Sequence, residues 1–298
     1  MNSKKEIGFC FLDEYANFEI ALKSVFECSK SYLKKIIGNK KKLSQKVYAR
    51  REYAIDLNLV NHLMINPIYC GKPLAILFQD ENYLVLNKIP GIHAHPHFYD
   101  ESDNCLSFLR QEFDPKILEV NKNFYDRGLL FRLDLVTSGV LVYVKKEILL
   151  KKLRDQYEDL VKKKTYLAVV EGQLEQAYHL THYFRKSQFK GKKMSVTDHD
   201  TEGAKPGICM VNPLKFNREE NVSLVKIELK TGLRHQIRAQ LAHLGFPILG
   251  DELYGGKKAP RVFLHAYNYE INVPGTYLNV FSKDPSLFDI FFDLDTCL

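Results

Sequence analysis

At 298 residues, with 45% hydrophobic and 27% charged residues, the chain has the composition of an ordinary soluble globular protein and the length of one large or two unequal domains. No apolar run approaches bilayer length and no signal-peptide pattern opens the chain, so a helical membrane protein is excluded and a cytoplasmic location is expected. The net charge of +7 points to a polyanionic partner, and six scattered cysteines without a Cys-x-x-Cys pair exclude a disulfide scaffold and a cysteine-rich metal site.

Apolar residues recur at helical spacing from Phe18 to Ile37, which predicts one amphipathic helix ended by Gly38 and Asn39. Basic residues crowd the same region: Lys30, Lys34, Lys35, Lys40, Lys41, Lys42, Lys46, Arg50 and Arg51. A second cluster holds Arg185, Lys186, Lys190, Lys192 and Lys193. Such clusters suit a phosphate backbone, whose counterions they release, and equally suit a solvated lysine-rich face. The first part of the chain therefore reads as a small basic helical module over residues 1–68, ahead of a domain over 69–298.

Ile76–Phe78 and Tyr83–Leu86 flank Gln79-Asp80-Glu81-Asn82 and predict a hairpin. His93, His95 and His97 alternate as metal ligands on a strand can, but Pro96 interrupts the strand, and no metal site is assigned. Arg132 and Asp134 stand two apart, so an extended backbone sends both to one face and Phe131, Leu133 and Leu135 to the other. A cation beside a carboxylate favours the ionised form that a nucleophile or base needs, although a surface ion pair fits the same spacing. Thr137-Ser138-Gly139 reads as a turn before the buried strand Val140–Val144.

Glu147–Leu160 has the spacing of an amphipathic helix, and Thr165–Glu171 reads as a strand closed by Gly172, on which Tyr166 is by propensity an ordinary sheet tyrosine. Residues 173–213 are polar and basic and predict a long excursion from the sheet. Val222–Leu229 alternates as a strand, with Thr231-Gly232 as a break that can cap the next element. A helix is predicted over His235–Leu244, ended by Gly245, with Arg238 and Arg234 able to reach inward to an anion. Val262–Ala266 reads as a short strand, and the tail as a closing helix with Leu287, Ile290, Phe291 and Leu294 inward.

In order along the chain, Leu84-Val85-Leu86-Asn87-Lys88, Pro90-Gly91 and His95-Pro96, Arg132-Leu133-Asp134 with Thr137-Ser138-Gly139, and Lys164-Thr165-Tyr166-Leu167-Ala168 are followed by Leu229-Lys230-Thr231-Gly232, His235-Gln236-Ile237-Arg238, Gly250-Asp251 and Leu264-His265-Ala266. Over more than two hundred residues this pattern resembles the RluA-type pseudouridine synthases, enzymes that isomerise uridine in structured RNA. The resemblance implies an α+β fold with a mixed, mostly antiparallel sheet, and a monomer that needs no cofactor.

By the same resemblance Asp134 is the catalytic carboxylate and Arg238 its ion-pair partner. Tyr166 stacks on the uracil and helps move the C5 proton. Arg132, Leu264, His235 and Gln236 contact the substrate, with Arg132 filling the place of the everted uridine. One carboxylate suffices because the leaving group is kept, provided that water is excluded. Attack on C1′ and removal of a ribose proton to give a glycal both stay open. Phe131 stands where many relatives have histidine, and Leu233 where many have arginine. Large-subunit ribosomal RNA is the first substrate expected and transfer RNA the second, with a non-catalytic RNA-binding assembly factor and a glycoside hydrolase as rival functions.

Overall fold

A computed structural model describes residues 6–26, 28–60, 64–186, 193–283, 288–289 and 291–292. They form two compact units, one of residues 1–71 and 95–127, the other of 72–94 and 128–298. The units depart from the contiguous division expected at residue 68, because residues 95–127 group with the N-terminal segment.

In the first unit β1 (Glu6–Cys10) pairs antiparallel with β2 (Glu52–Asp56). Between them lie α1 (Phe18–Phe26), α2 (Lys30–Ile37) and α3 (Lys40–Leu43); α4 (Leu57–Val60) and α5 (Cys105–Glu112) follow. The single helix expected over 18–37 is therefore two. Ser29 breaks it, its hydroxyl accepting the backbone N–H of Tyr32 at 3.2 Å and starting a new helix, which Gly38 ends in the left-handed conformation. Phe11, Phe18, Leu22, Leu33, Ile36, Val47 and Ile55 fill the core. Lys30, Lys34, Lys35, Lys40, Lys41, Lys46, Arg50 and Arg51 are exposed, which gives this unit a basic surface.

The second unit is built on a ten-stranded sheet. Its strands are β3 (Ala75–Gln79), β4 (Tyr83–Lys88), β5 (Ser138–Val144), β6 (Val161–Glu171), β7 (Tyr178–Lys186), β8 (Met194–Thr197), β9 (Lys205–Asn217), β10 (Val222–Leu229), β11 (Leu264–Val273) and β12 (Thr276–Phe281). They run in the order β3-β4-β5-β11-β6-β10-β9-β7-β8, with β12 added to β11. β5 and β11 run parallel and the other pairings are antiparallel, so the sheet is mixed and mostly antiparallel as expected. α6 (Glu147–Asp155) and α7 (Tyr157–Leu160) replace one predicted helix, and α8 (Gln236–His243) follows β10. Among the described residues no helix is long and apolar enough to cross a membrane.

Two expectations fail here. Among the described residues, 173–213 are not an excursion: they supply β7, β8 and part of β9, with His179, Thr181, Arg185 and Lys186 on the open face of an antiparallel sheet while Leu180, His182, Phe184, Cys209 and Val211 are buried. The strand at 262–266 extends to Val273 and turns back as β12. Of the tail, Phe288 and Phe292 are buried in the core, whereas Leu287, Ile290 and Leu294, three of the four positions of the expected closing helix, lie outside the described residues, as do Lys190 and Lys192 of the second basic cluster.

Gly139 makes the parallel junction of β5 with β11 possible. Its φ is +108°, and a Cβ there would lie 2.2 Å from the carbonyl oxygen of Ala266. Beside it the Ser138 hydroxyl bonds His265 Nδ1 at 2.8 Å and accepts from Arg261. Gly139→Ala is expected to cost roughly 2–5 kcal/mol through backbone strain and overpacking, read as a lowered denaturation midpoint.

Candidate active site

The loop that precedes β5 carries Asp134, and two buried devices fix its backbone. The Asp134 carbonyl accepts the N–H of Thr137 at 3.1 Å, so the turn spans 134–137 and not 137–139; Ser138 and Gly139 already belong to the strand. Lys88, fully buried at the end of β4, donates from Nζ to the carbonyls of Ile89 (3.0 Å), Leu135 (3.2 Å) and Thr137 (2.8 Å). A lysine ammonium has three hydrogens, and three carbonyls meet them here. The expected alternation of faces holds only in part: Arg132 is exposed, Leu133 buried and Asp134 partly exposed, but Leu135 points outward because the chain turns there.

α8 brings the opposing charge. Arg238 is buried, and its Nε and Nη2 each donate at 2.7 Å to the two oxygens of Asp251, itself buried. Nη1 is left to reach Oδ2 of Asp134 at 3.2 Å. Burial alone would lower the pKa of Arg238, but the hydrogen bonds and charges of Asp251 and Asp134 outweigh it and raise it. The guanidinium also sits 5.3 Å from the ring centre of Tyr254, within the range of a cation–π contact. Arg234, expected one turn earlier on the same helix, instead precedes the helix and is exposed, since His235 is the N-cap. Thr231-Gly232 is therefore not the cap.

His235 adopts a left-handed backbone (φ 54°), with Nδ1 3.0 Å from the Tyr254 hydroxyl and Nε2 3.9 Å from Oδ1 of Asp134. Burial, followed by the charges of Arg238 and Arg234 against those of Asp134 and Asp251, lowers its pKa. Gln236 is occupied by the protein: its carbonyl accepts from Thr231 Oγ1 and Leu233 N, and its amide donates to Ile208 O and Gln240 Oε1. It holds the 231–235 loop and has no hydrogen left for a ligand.

β6 places Tyr166 opposite Ala266 of β11, and Leu264 two residues along. Burial first, then Tyr157 and Asp134, push the Tyr166 phenol far above its usual range, so it is neutral at physiological pH. Lys164, also buried, donates to the carbonyls of Lys230 (2.8 Å) and Thr231 (3.4 Å) and lies 4.9 Å from the centre of the Tyr157 ring. Burial pushes its amine down to about 8, with Glu158 opposing and Lys230 assisting. Phe131 stacks on Tyr269 at 4.3 Å and 9°, and Tyr269 hydrogen-bonds Tyr157, so the ring at this position is engaged by the protein.

Asp134, Tyr166, Arg238, Arg132, Leu264, His235 and Gln236, all seven residues assigned from the sequence, line one open cleft. Asp251 and Tyr254 carried no assigned role, although the Gly250-Asp251 turn was part of the motif pattern. Elsewhere His182, Asp198 and His243 come together, with His243 Nε2 2.9 Å and His182 Nε2 3.5 Å from Asp198 Oδ1. The Gln240 amide faces His182 Nδ1 at 3.4 Å and donates to Gly207 O, which directs the imidazole hydrogen to Nε2 and toward Asp198. The trio is thus satisfied as a hydrogen-bonded clasp. In the alternating histidines, residues 93–97 form no strand, His95 packs on Tyr125, and His97 N–H is taken by Glu101.

Residues 82–243 match the RNA pseudouridylate synthase family. Ribosomal large subunit pseudouridine synthase D of Borreliella burgdorferi is 31% identical over 94% of this chain and 88% of its own. Ribosomal large subunit pseudouridine synthase C of Rickettsia bellii is 30% identical over 72% of this chain and 69% of its own. Human RNA pseudouridylate synthase domain containing 1 shares the fold, with a TM-score of 0.61 at 23% identity over 73% of this chain and 86% of its own. With the matched segment spanning more than half the sequence and a relative aligned along nearly all of it, this chain belongs to the RNA pseudouridylate synthase family and is an isomerase that forms pseudouridine in RNA.

Proposed function

We propose that this chain isomerises specific uridines of large-subunit ribosomal RNA, with Asp134 as the catalytic carboxylate, Arg238 as the cation that orients it and Tyr166 as the platform for the base. One observation carries the reading: Arg238 turns two of its three nitrogens, Nε and Nη2, to Asp251 and the other, Nη1, to Asp134. Two carboxylates around one guanidinium leave a net negative charge. Asp134 is held in place by a cation whose charge is already shared with Asp251, which orients a nucleophile or ribose base without capping it. The bidentate pair with Asp251 also prevents Arg238 from closing fully on the acid it serves.

In the reaction the N1–C1′ bond of uridine breaks, the uracil turns, a C5–C1′ bond forms, and the proton lost from C5 is balanced by one gained at N1, so that no atom is lost overall. Asp134 acts at the ribose through the oxygen that Arg238 does not hold. Leu264 and the Tyr166 ring offer the turning base an apolar wall. A neutral phenol is a poor proton acceptor, so stacking rather than C5 deprotonation is the role that the burial of Tyr166 supports. Gln236 acts through the loop it ties down. The ribosomal target follows the names of the relatives in Borreliella burgdorferi and Rickettsia bellii, and the basic surfaces suit an RNA backbone.

Mapping pseudouridine in total RNA from cells with and without the protein tests this. Sites in large-subunit ribosomal RNA are expected to vanish and to return with wild type but not with Asp134→Ala, a loss of about 10³-fold or more. Sites lost only from transfer RNA would overturn the ribosomal target, and free uracil as product would indicate a hydrolase. In purified protein, Tyr166→Phe is expected to retain activity within about tenfold, whereas a phenol that transfers the proton would cost about 10²-fold or more. Asp251→Asn removes the buried one of the two counter-charges of Arg238 and lets the guanidinium turn toward Asp134; it is expected to lower kcat by about 10²-fold and stability by about 3–5 kcal/mol, measured by single-turnover kinetics and denaturant titration.

A further inference from the structure

We propose that Tyr254 locks His235 in the tautomer with its hydrogen on Nε2, making His235 a positioning residue that offers a neutral donor to the Asp134 oxygen left free by Arg238. The inference rests on the catalytic role of Asp134.

The phenol side sets one end. The Tyr254 oxygen accepts the backbone N–H of Met194 at 2.8 Å, and a backbone amide can only donate. The phenol therefore has its own hydrogen to direct, and His235 Nδ1 lies 3.0 Å away with the two rings nearly perpendicular at 84°. Burial raises the pKa of Tyr254, so that hydrogen is retained. Nδ1 is then the acceptor, and a neutral imidazole must carry its hydrogen on Nε2.

The carboxylate side agrees. Nε2 faces Oδ1 of Asp134 at 3.9 Å, while Oδ2 belongs to Arg238. A bare nitrogen lone pair turned on a carboxylate would be repelled, whereas an N–H is attracted. The spacing is longer than a hydrogen bond and closes with a shift of roughly 1 Å. His235 is held here in a left-handed backbone that costs a non-glycine residue about 1–2 kcal/mol, a strain that places the imidazole at the mouth of the cleft.

The arrangement resists acid. The charged groups facing the ring are Asp134 on its loop, Arg234 before α8, Arg238 on α8 and Asp251 beyond Gly250, with Tyr254 on the same turn as Asp251. Burial and the arginines hold the imidazole below its ordinary value of about 6.5. The neutral donor thus persists as the pH falls through that value, and is lost only when the pH falls through the lower one of the folded protein. Protonation requires a hydrogen on Nδ1, which meets the hydrogen of the Tyr254 phenol.

Long-range ¹⁵N–¹H spectra of the full-length, RNA-free protein test the proposal. Wild type is expected to show His235 as the Nε2–H tautomer, neutral to below pH 6.5. Tyr254→Phe is expected to mix the tautomers, raise the midpoint by about half a unit to one unit and move the acid limb of kcat to higher pH by the same amount. kcat at neutral pH is expected to fall about three- to tenfold, with KM for RNA unchanged. His235→Gln, which keeps an amide donor, is expected to retain more kcat than His235→Leu and to lose the acid limb. A wild-type Nδ1–H tautomer, or a Tyr254→Phe protein with unchanged tautomer and midpoint, would overturn the proposal. The spectra need no substrate, so a protein that formed no pseudouridine in any RNA would remove the proposed reaction and leave the tautomer assignment to stand or fall separately.

Discussion

The bidentate pair of Arg238 and Asp251 is the constraint on which the site depends. A buried guanidinium is tolerated only when its hydrogens and charge are met, and Asp251 meets them with two bonds of 2.7 Å. Such a pair is weak evidence for stability, because desolvation offsets much of its attraction. Its effect is directional. With Nε and Nη2 committed, Nη1 can point only where α8 aims it, and Asp134 is placed to receive it. The acid is set by two buried cations of different function, Lys88 holding its backbone and Arg238 its carboxylate.

The sheet explains how segments so distant in sequence meet. β11 lies between β5 and β6, so the loop entering β5, Tyr166 in the middle of β6 and the first residue of β11 lie side by side across three adjacent strands. β5 and β11 run parallel, which is why the Asp134 loop and Leu264 lie at the same end rather than at opposite ends. The close approach at Gly139 and the buried Ser138–His265 contact tie that junction together, and neither touches the cleft.

Much of this was readable in the residues. The hairpin of β3 and β4, the buried strand after Asp134 and the helix bearing Arg238 all follow from periodicity and turn chemistry. Ser29 shows the limit of periodicity: the apolar stripe continues across a helix break made by one hydroxyl. β7 to β9 were hidden because an antiparallel sheet with an open face accepts Lys, Arg, His and Thr at every second position, and such a segment reads as loop. The seven assigned residues line one cleft, and they were picked out by ordered motifs rather than by spacing. Asp251 and Tyr254 were missed as partners because their significance is purely spatial: a carboxylate after Gly250 signals a turn, and nothing in the sequence says that it closes on an arginine thirteen residues earlier. The ring of Phe131 lies flat against Tyr269, a contact that its place beside Arg132 in the sequence does not announce.

Lys164 has a consequence for alkaline conditions. Its amine, pushed down to about 8, sheds its proton more than two units before an ordinary lysine at about 10.4. A deprotonated amine still carries two N–H bonds, and it has two carbonyls, Lys230 and Thr231, to satisfy. The loop ahead of His235 therefore keeps both hydrogen bonds in either charge state. What base removes is the cationic attraction to the Tyr157 ring, while the burden of an interior charge is lifted as the pH climbs from about 8 toward the unfolded value. In base the protein changes its electrostatics there without changing its shape.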